Sequence, residues 1–457
     1  GKMLPITTMN KITPIIGLEV HVELKTNSKM FCSCSADYFG QKPNTHCCPV
    51  CLGLPGALPV PNKKAVEWCI LIGLALNCKV NESSYFERKN YFYPDLPKGY
   101  QISQYNMPLT YSGVVEIGGG KGKTIRINRV HMEEDTGKLT HAEVNGEKCT
   151  LIDFNRSGVP LVEIVTEPDF NSTEDVSVYL KKLHKIIKYL SVSDADMEKG
   201  SMRLEPTVNL KITKNGEDFF TPLVEIKNIN SFRFVKQALE YEIKRQESEF
   251  EKTGIAKTAG NKTTVGFNEE KKETYLQRAK EEANDYRYFP EPDIPPMSWT
   301  KEDVEKLRLQ IPELPDDKIA RFINKYGINE YDALLLTENP EVAMYYEDCI
   351  KYLVLSIKQK GITNKIIANW IINKKADIKK VSPEELLKLI AQQFQTSSIT
   401  DEELEKIVKK VVTENPKAVT DLKAGKEQAM MFLVGQVMKT VKDNNLVDKI
   451  KILIKNI

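Results

Sequence analysis

Three short segments carry acidic and imidazole side chains at alternate positions. In "IIGLEVHVEL", residues 15–24, Glu19, His21 and Glu23 share one side of a two-residue repeat, while Ile16, Leu18, Val20, Val22 and Leu24 take the other. "RVHMEED" puts His131, Glu133 and Asp135 on one side and Glu134 on the other, and "LVEIVTEPD" groups Glu163, Val165 and Glu167. One such strand alone reads as a solvated face. Three of them form a set suited to a hard cation such as Mg²⁺, which takes oxygen ligands from one or two carboxylates plus water and substrate phosphates. A second group is Cys32-x-Cys34 followed, after thirteen residues, by Cys48-Pro-Val-Cys51. Two close pairs of thiolates suit tetrahedral zinc in a closed, structural site. Cys47 and His46 adjoin the second pair and leave the ligand choice open, and a set of small buried thiols is the alternative reading.

A phosphate site is harder to find. "GGGKGKT", residues 118–124, superficially resembles a phosphate-binding loop, but the first glycine of that pattern would fall at Ile117. The next residues, "IRINRVH", alternate like a strand, whereas such a loop must open a helix so that its N–H groups cradle phosphate. The stretch reads as a hairpin tip, and a nucleotide here requires another kind of fold. "RKNYFYPDLPKGYQISQY", residues 88–105, sets four tyrosines among lysines, an aspartate and prolines, a composition that suits a loop lining a crevice.

The elements that position these groups divide the chain. At 457 residues it exceeds the usual single core, and 41% apolar with 28% charged residues is ordinary globular composition. With 65 basic against 63 acidic side chains there is no overall basic field, although a local patch suffices for phosphate contact. No apolar run approaches a membrane span, and "GKMLPITTMNK" has no signal core, so a cytoplasmic protein is expected. Nine cysteines, five of them within residues 32–51, point to metal before disulfide. To about residue 235, short alternating strands are interrupted by helices at "NKKAVEWCILIGLALN" and "STEDVSVYLKKLHKIIKYLS", an α+β layout with a largely antiparallel sheet. "FVKQALEYEIKRQESEFEKTG" is a long charged helix. The four prolines of "YFPEPDIPPM" bar helix and central strand and mark a domain boundary. Beyond them the chain is helical, with a second break at "QTSSITDEE". The expected domains are 1–297, 298–396 and 397–457.

These same stretches resemble one family. "IGLEVHVEL", "CPVCLGLPGALPV", "RKNYFYPDLPKGYQISQY", "HMEEDTGK", "NRSGVPLVEIVTEPD", "EIKNINSF", "DYRYFPEPDIPP" and "VGQVMK" are similar to the B subunits, GatB, of the tRNA-dependent amidotransferase GatCAB. The sister GatE family carries a large inserted domain, and no insertion of that size is present here. The resemblance implies a glutamine synthetase/guanido kinase-like cradle, followed by an all-α helical domain and a YqeY-like tail that grip tRNA. It implies a glutamine-hydrolysing, ATP-dependent ligase. Glu-tRNA(Gln) or Asp-tRNA(Asn) is activated as an acyl phosphate, then amidated with ammonia led from a GatA-type glutaminase subunit. A small GatC-type subunit joins the two.

By the same resemblance Glu19, His21, Glu134 and Glu163 hold Mg²⁺, with Glu133 and Glu167 close by. Cys32, Cys34, Cys48 and Cys51 hold zinc, Lys89, Asp95 and Lys98 lie where ammonia arrives, and Glu134 or Glu133 acts in proton transfer. Arg156, Ser157, Gly158, Lys227 and Asn228 stand near the ATP. Two other readings compete: a catalytically silent tRNA-binding scaffold, and a metal-dependent nuclease. The helical region is shorter than the family pattern, with only "QTSS" between two of its helices. In the tail, Lys417, Lys423, Lys426 and Lys439 surround an apolar stripe; solvated lysines are the default reading, and the resemblance implies contact with tRNA phosphates.

Overall fold

The computed structural model describes residues 11–118, 122–281, 286–355, 362–375, 377–395, 400–423, 427–441 and 446–455. It divides into two compact units, Gly1–Lys318 and Ile319–Ile457. The first is built on one ten-stranded sheet. Its strands run in the order Glu273–Glu281, Lys262–Asn268, Val224–Lys227, Met202–Lys214, Lys11–Glu23, Pro160–Thr166, Lys123–Glu134, Thr110–Ile117, Lys79–Val80, with Glu217–Phe220 paired beside Met202–Lys214. Every pairing is antiparallel except that of Val224–Lys227 with Lys262–Asn268. The mixed α+β class with a dominantly antiparallel sheet is as expected.

The Lys11–Glu23 strand sits at the centre, and its alternation sorts the two faces. Ile16, Leu18, Val20 and Val22 are all 1% exposed or less and form the core with the helices Lys63–Ala75, Thr173–Leu190 and Phe232–Thr253. Those helices start where the capping chemistry dictates: the side chains of Asn62, Ser172 and Ser231 each accept from an N–H of the first turn. The opposite face carries Glu19, His21 and Glu23 and remains polar. "IRINRVH" is strand, inside Lys123–Glu134, as its alternation predicts; residues 119–121 of the glycine-rich stretch lie outside the described residues.

The proline-rich stretch does not leave the first unit. Phe289–Pro290 pairs with Glu87–Asn90, and Met297–Ser298 pairs with Ser83–Ser84. Proline lacks an N–H but tolerates an edge, and these two-residue edge pairings use that tolerance. The helix Lys301–Arg308 comes next, and its Leu307 belongs to the same core. The second unit is wholly helical among its described residues. It contains two clusters, one from Phe322 to Ile390 and one from Leu404 to Ile454. Lys417 and Lys439 are exposed there; Lys426 and the side chain of Lys423 lie outside the described residues. Among the described residues no helix is long and apolar enough to cross a membrane.

One close contact makes the helix-on-sheet packing testable. A Cβ on Gly73 would stand 2.2–2.7 Å from three side-chain atoms of Thr110, which is fully buried. Glycine to alanine in a helix normally gains about 1 kcal/mol, but here overpacking on the order of 1–3 kcal/mol dominates. Gly73→Ala is therefore expected to lower stability in urea melts, and Thr110→Ala in the same chain to recover only part of the loss, because alanine removes Oγ1 and Cγ2 but keeps the Cβ at 2.7 Å. A Gly73→Ala chain as stable as the parent would refute this packing.

Candidate active site and cysteine centre

The register of the central strands brings the alternating residues into rows. His21 faces Glu163 and Arg203, Glu163 faces His131, and Glu19 faces Glu205. His131 Nε2 lies 3.2 Å from Glu163 Oε2 and 3.5 Å from Glu133 Oε1, and His21 Nε2 lies 3.8 Å from the same Glu163 oxygen. His21, Glu133 and Glu163 each offer a ligand atom within 4.8 Å of the others, the spacing of a cation site. Among the described residues, His21 Nδ1 and His131 Nδ1 are buried without a hydrogen-bond partner. Ser103 Oγ donates to Glu133 Oε1 at 2.7 Å and Gln101 Nε2 to Oε2 at 3.2 Å, fixing that carboxylate.

The charges are set by these neighbours. Burial opposes ionisation of Glu133, but Lys89 and the two imidazoles outweigh it and hold its carboxyl well below the usual range. Burial likewise opposes the charge on Lys89, and Glu133, Tyr288 and Glu163 outweigh it, so the ammonium is held above its ordinary value. Glu19 goes the other way. Burial first, then Glu163, push its carboxyl up to about 7.

Glu134 is not part of this group, contrary to its place in the expected cation set. Adjacent residues of a strand point to opposite faces, so Glu133 turns to the histidines and Glu134 turns away. Glu134 Oε1 is ion-paired with Lys98 and accepts from the Ile102 N–H at 3.0 Å, while Oε2 faces Gly158. The neighbouring strand Glu87–Asn90 splits the same way: Lys89 faces Glu133 and Glu163, whereas Arg88 bonds Glu291 and lines the pocket containing Glu134. That pocket, of about 220 Å³, is floored by Lys98, Glu134 and Ile102 and walled by the loop of Cys32 and Val50–Pro59. Gly53, at φ +67°, lets the loop lie directly on Lys98, since a Cβ there would meet Lys98 Cγ at 2.3 Å. Asp95 accepts from Thr136 Oγ1 at 3.0 Å and through its carbonyl from the Gly137 N–H at 2.8 Å, tying the Lys98 loop to the chain just past Glu134.

The residues expected near a nucleotide are dispersed. Arg156 donates to the carbonyls of Thr136 and Gly137 and stands 3.8 Å from Asp135. Ser157 and Gly158 are buried against the cysteine loop. Lys227 lies on the polar sheet face paired with Glu225 at 3.0 Å and Glu205 at 3.3 Å; Asn228 is exposed at φ +61°. Glu167 accepts from Asn128 Nδ2 at 2.7 Å, outside the histidine–carboxylate group. Beyond Glu19, a cleft lined by Gly17, Val165, Thr207, Phe220 and Lys257 opens on the same side.

Several contributors were not identified from sequence. Tyr105 stacks on Tyr288 with centroids 4.8 Å apart, Tyr91 meets Tyr286 at 6.0 Å, and Lys89 sits 5.0 Å from the Tyr286 ring. Two aromatic residues of 88–105, Tyr91 and Tyr105, thus pack against the rings of Tyr286 and Tyr288. Arg203 bonds Asp135 at 2.9 Å and reaches Glu23 at 4.0 Å, while the Tyr38 hydroxyl donates to Glu23. Arg203 and Glu205 occupy alternate positions of the Met202–Lys214 strand, a pattern available in the sequence, on the polar face that Glu23 and Asp135 already marked.

Cys32, Cys34, Cys48 and Cys51 bring one sulfur each within 4.8 Å, an arrangement compatible with a structural metal. The alternative ligands turn elsewhere: Cys47 Sγ points to Asn155 Oδ1 at 3.9 Å, and His46 Nδ1 lies 3.2 Å from Thr45 Oγ1.

The chain matches the family profile described as "GatB/GatE catalytic domain" over residues 14–305 and that described as "GatB domain" over 317–456. It is 45% identical to the B subunit of the aspartyl/glutamyl-tRNA(Asn/Gln) amidotransferase of Caldicellulosiruptor saccharolyticus, covering 94% of this chain and 95% of that protein. The protein of the same description from Thermoanaerobacter pseudethanolicus is 46% identical (94% and 96%), and that from Thermotoga maritima 43% (94% and 95%).

A carboxyl raised to about 7 in the fold from its ordinary 4.5 favours folding less as it ionises. The Glu19 contribution is therefore neutral below about pH 4.5, becomes unfavourable between 4.5 and 7, and stays so above. Glu19→Gln, which cannot ionise, is expected to melt higher than the parent at pH 8, by the equivalent of about 2 kcal/mol after allowance for partial exposure, and nearly level with it at pH 4.5. An equal difference at both pH values would refute the assignment.

Proposed function

The chain belongs to the GatB family of amidotransferase B subunits, and from that premise we propose that it phosphorylates and then amidates the side-chain carboxylate of Glu-tRNA(Gln), Asp-tRNA(Asn) or both. One observation carries the reading. His21, Glu133 and Glu163 converge beside Lys89 on one face of the Lys123–Glu134 strand, and Lys98–Glu134 occupies a pocket on the other. Two chemical steps need two differently charged compartments, and one strand end supplies both.

The first step transfers the γ-phosphoryl of ATP to a carboxylate oxygen, with ADP leaving. An anion approaches an anion, so positive charge must lie on the phosphoryl oxygens. His21, Glu133 and Glu163 would hold Mg²⁺, which when bound would supply that charge. Lys89 holds Glu133 ionised for ligation, and Gln101 and Ser103 fix its oxygens. Glu19 lies on the side toward the Gly17–Phe220 cleft, which has apolar walls for a base and Lys257 and Lys227 on the same face. For Lys227 to meet phosphate it exchanges Glu205 or Glu225. Arg156, Ser157 and Gly158 contribute by holding the turn after Asp135.

In the second step ammonia attacks the acyl carbon, phosphate leaves, and the nitrogen sheds one proton. Glu134 Oε2 takes that proton, while Lys98 and the Ile102 N–H hold Oε1 and so aim the free oxygen. Asp95 positions the Lys98 loop. Ammonia comes from a GatA-type glutaminase subunit, with a GatC-type subunit completing the complex in the cytoplasm. The helices after residue 318, including Lys417 and Lys439, take the tRNA. The cysteine centre holds Zn²⁺.

The two faces give separable losses in the reconstituted three-subunit complex. Glu133→Gln is expected to lower Glu-tRNA-stimulated ATP hydrolysis by about a hundredfold or more. Glu134→Gln should keep that hydrolysis, with the activated carboxylate trapped by hydroxylamine, while amide formation falls by about a hundredfold and glutaminase activity survives. The division of labour fails if Glu134→Gln abolishes ATP hydrolysis and Glu133→Gln does not. Absence of tRNA-stimulated hydrolysis in the parent would favour the silent scaffold.

A further inference from the structure

Lys29 is a lysine in the wrong place for an ordinary lysine. It is 1% exposed, and its ammonium donates to the carbonyls of His46 at 2.7 Å and Phe154 at 3.4 Å and reaches Cys51 Sγ at 3.7 Å. Among the described residues no carboxylate pairs with it. A buried ammonium offered only neutral carbonyls costs several kcal/mol, so an anion must stand beside it. Sulfur is the available one. Zn²⁺ with four thiolates carries two negative charges in excess, and Cys51, whose sulfur Lys29 reaches, is the buried one of the four.

We propose that Lys29 is the charge partner of the four-cysteine centre, its ammonium offsetting the excess negative charge of a zinc tetrathiolate and thereby retaining the metal. The inference rests on the reading of the four cysteines as a zinc centre. The surroundings are built for it. The Lys29 N–H donates to the Cys34 carbonyl at 2.9 Å, so the residue that carries the charge is held by the loop that carries the sulfurs. The Cys48 N–H donates to Cys51 Sγ at 3.2 Å, a second donor on the same sulfur. Gly158, at φ +88°, leaves the space that the lysine stem uses: a Cβ there would sit 3.5 Å from Lys29 Cδ and 3.4 Å from Cys51 Cβ. Lys29 is a positioning residue for the metal and touches no substrate.

The test uses the full chain loaded with zinc, with release followed by a colorimetric chelator, and the same chains loaded with Co²⁺ for the sulfur-to-metal absorption band. Lys29→Arg keeps the charge, Lys29→Gln keeps only hydrogen bonding, and Lys29→Met keeps neither. Both neutral variants are expected to release zinc about tenfold faster or more, with Lys29→Arg near the parent. Release from Lys29→Gln at the parental rate would overturn the proposal, since hydrogen bonding alone would then suffice. If Lys29→Met does not fold, the Gln and Arg variants decide by themselves. A parent chain that takes up neither zinc nor cobalt refutes the zinc reading instead, a distinct failure.

Discussion

The opposition of Glu133 and Glu134 across one strand governs this site. A β-strand cannot place neighbouring side chains on the same face, so two adjacent glutamates are forced into two environments. One meets two imidazoles, a serine and a glutamine beside a half-buried lysine, and the other meets a lysine and a backbone N–H under the cysteine loop. Glu87–Asn90 obeys the same rule, sending Lys89 to the first compartment and Arg88 to the second. Two environments of different charge thereby lie on opposite faces of one strand.

That arrangement concentrates charge in the interior, where four pairs answer one another. Lys89 answers Glu133, Arg203 answers Asp135, Lys98 answers Glu134 and Lys227 answers Glu225. Glu19, like Glu23, is under-compensated, raised first by burial and then by a neighbouring carboxylate, and a cation bound beside Glu19 would supply positive charge. The polar face is held in shape by the apolar one. Ile16, Leu18, Val20 and Val22 pack the central strand on three helices, so a shift of one residue would bury Glu19, His21 and Glu23 and expose the core residues. Register and chemistry are the same constraint seen from two sides.

Much of this was legible beforehand. The alternation in residues 15–24 and the carboxylates of "RVHMEED" and "LVEIVTEPD" defined both the strands and their polar faces. The thiol spacing marked the cysteine group but left Cys47 and His46 open as ligands, and the failure of "GGGKGKT" as a phosphate loop was decided by the strand pattern behind it. The same alternation separates Glu133 from Glu134, yet it does not say which of them meets His21, because that depends on which strand pairs with which. Arg203 and the tyrosines at 286 and 288 escaped notice for a related reason: their partners lie far away in the chain, at Asp135, Tyr91 and Tyr105.

The amino-acid order alone determined local things: period-two faces, helix caps, thiol spacing, proline punctuation and, through long shared motifs, family membership. These arise from geometry within a few residues. Only the tertiary structure decided that Glu163 lies between His21 and His131, that Glu134 belongs to the pocket of Lys98, and that Lys29 is buried against Cys51. Such decisions depend on strand order and on the electrostatic cost of burying charge, both sums over contacts between distant parts of the chain.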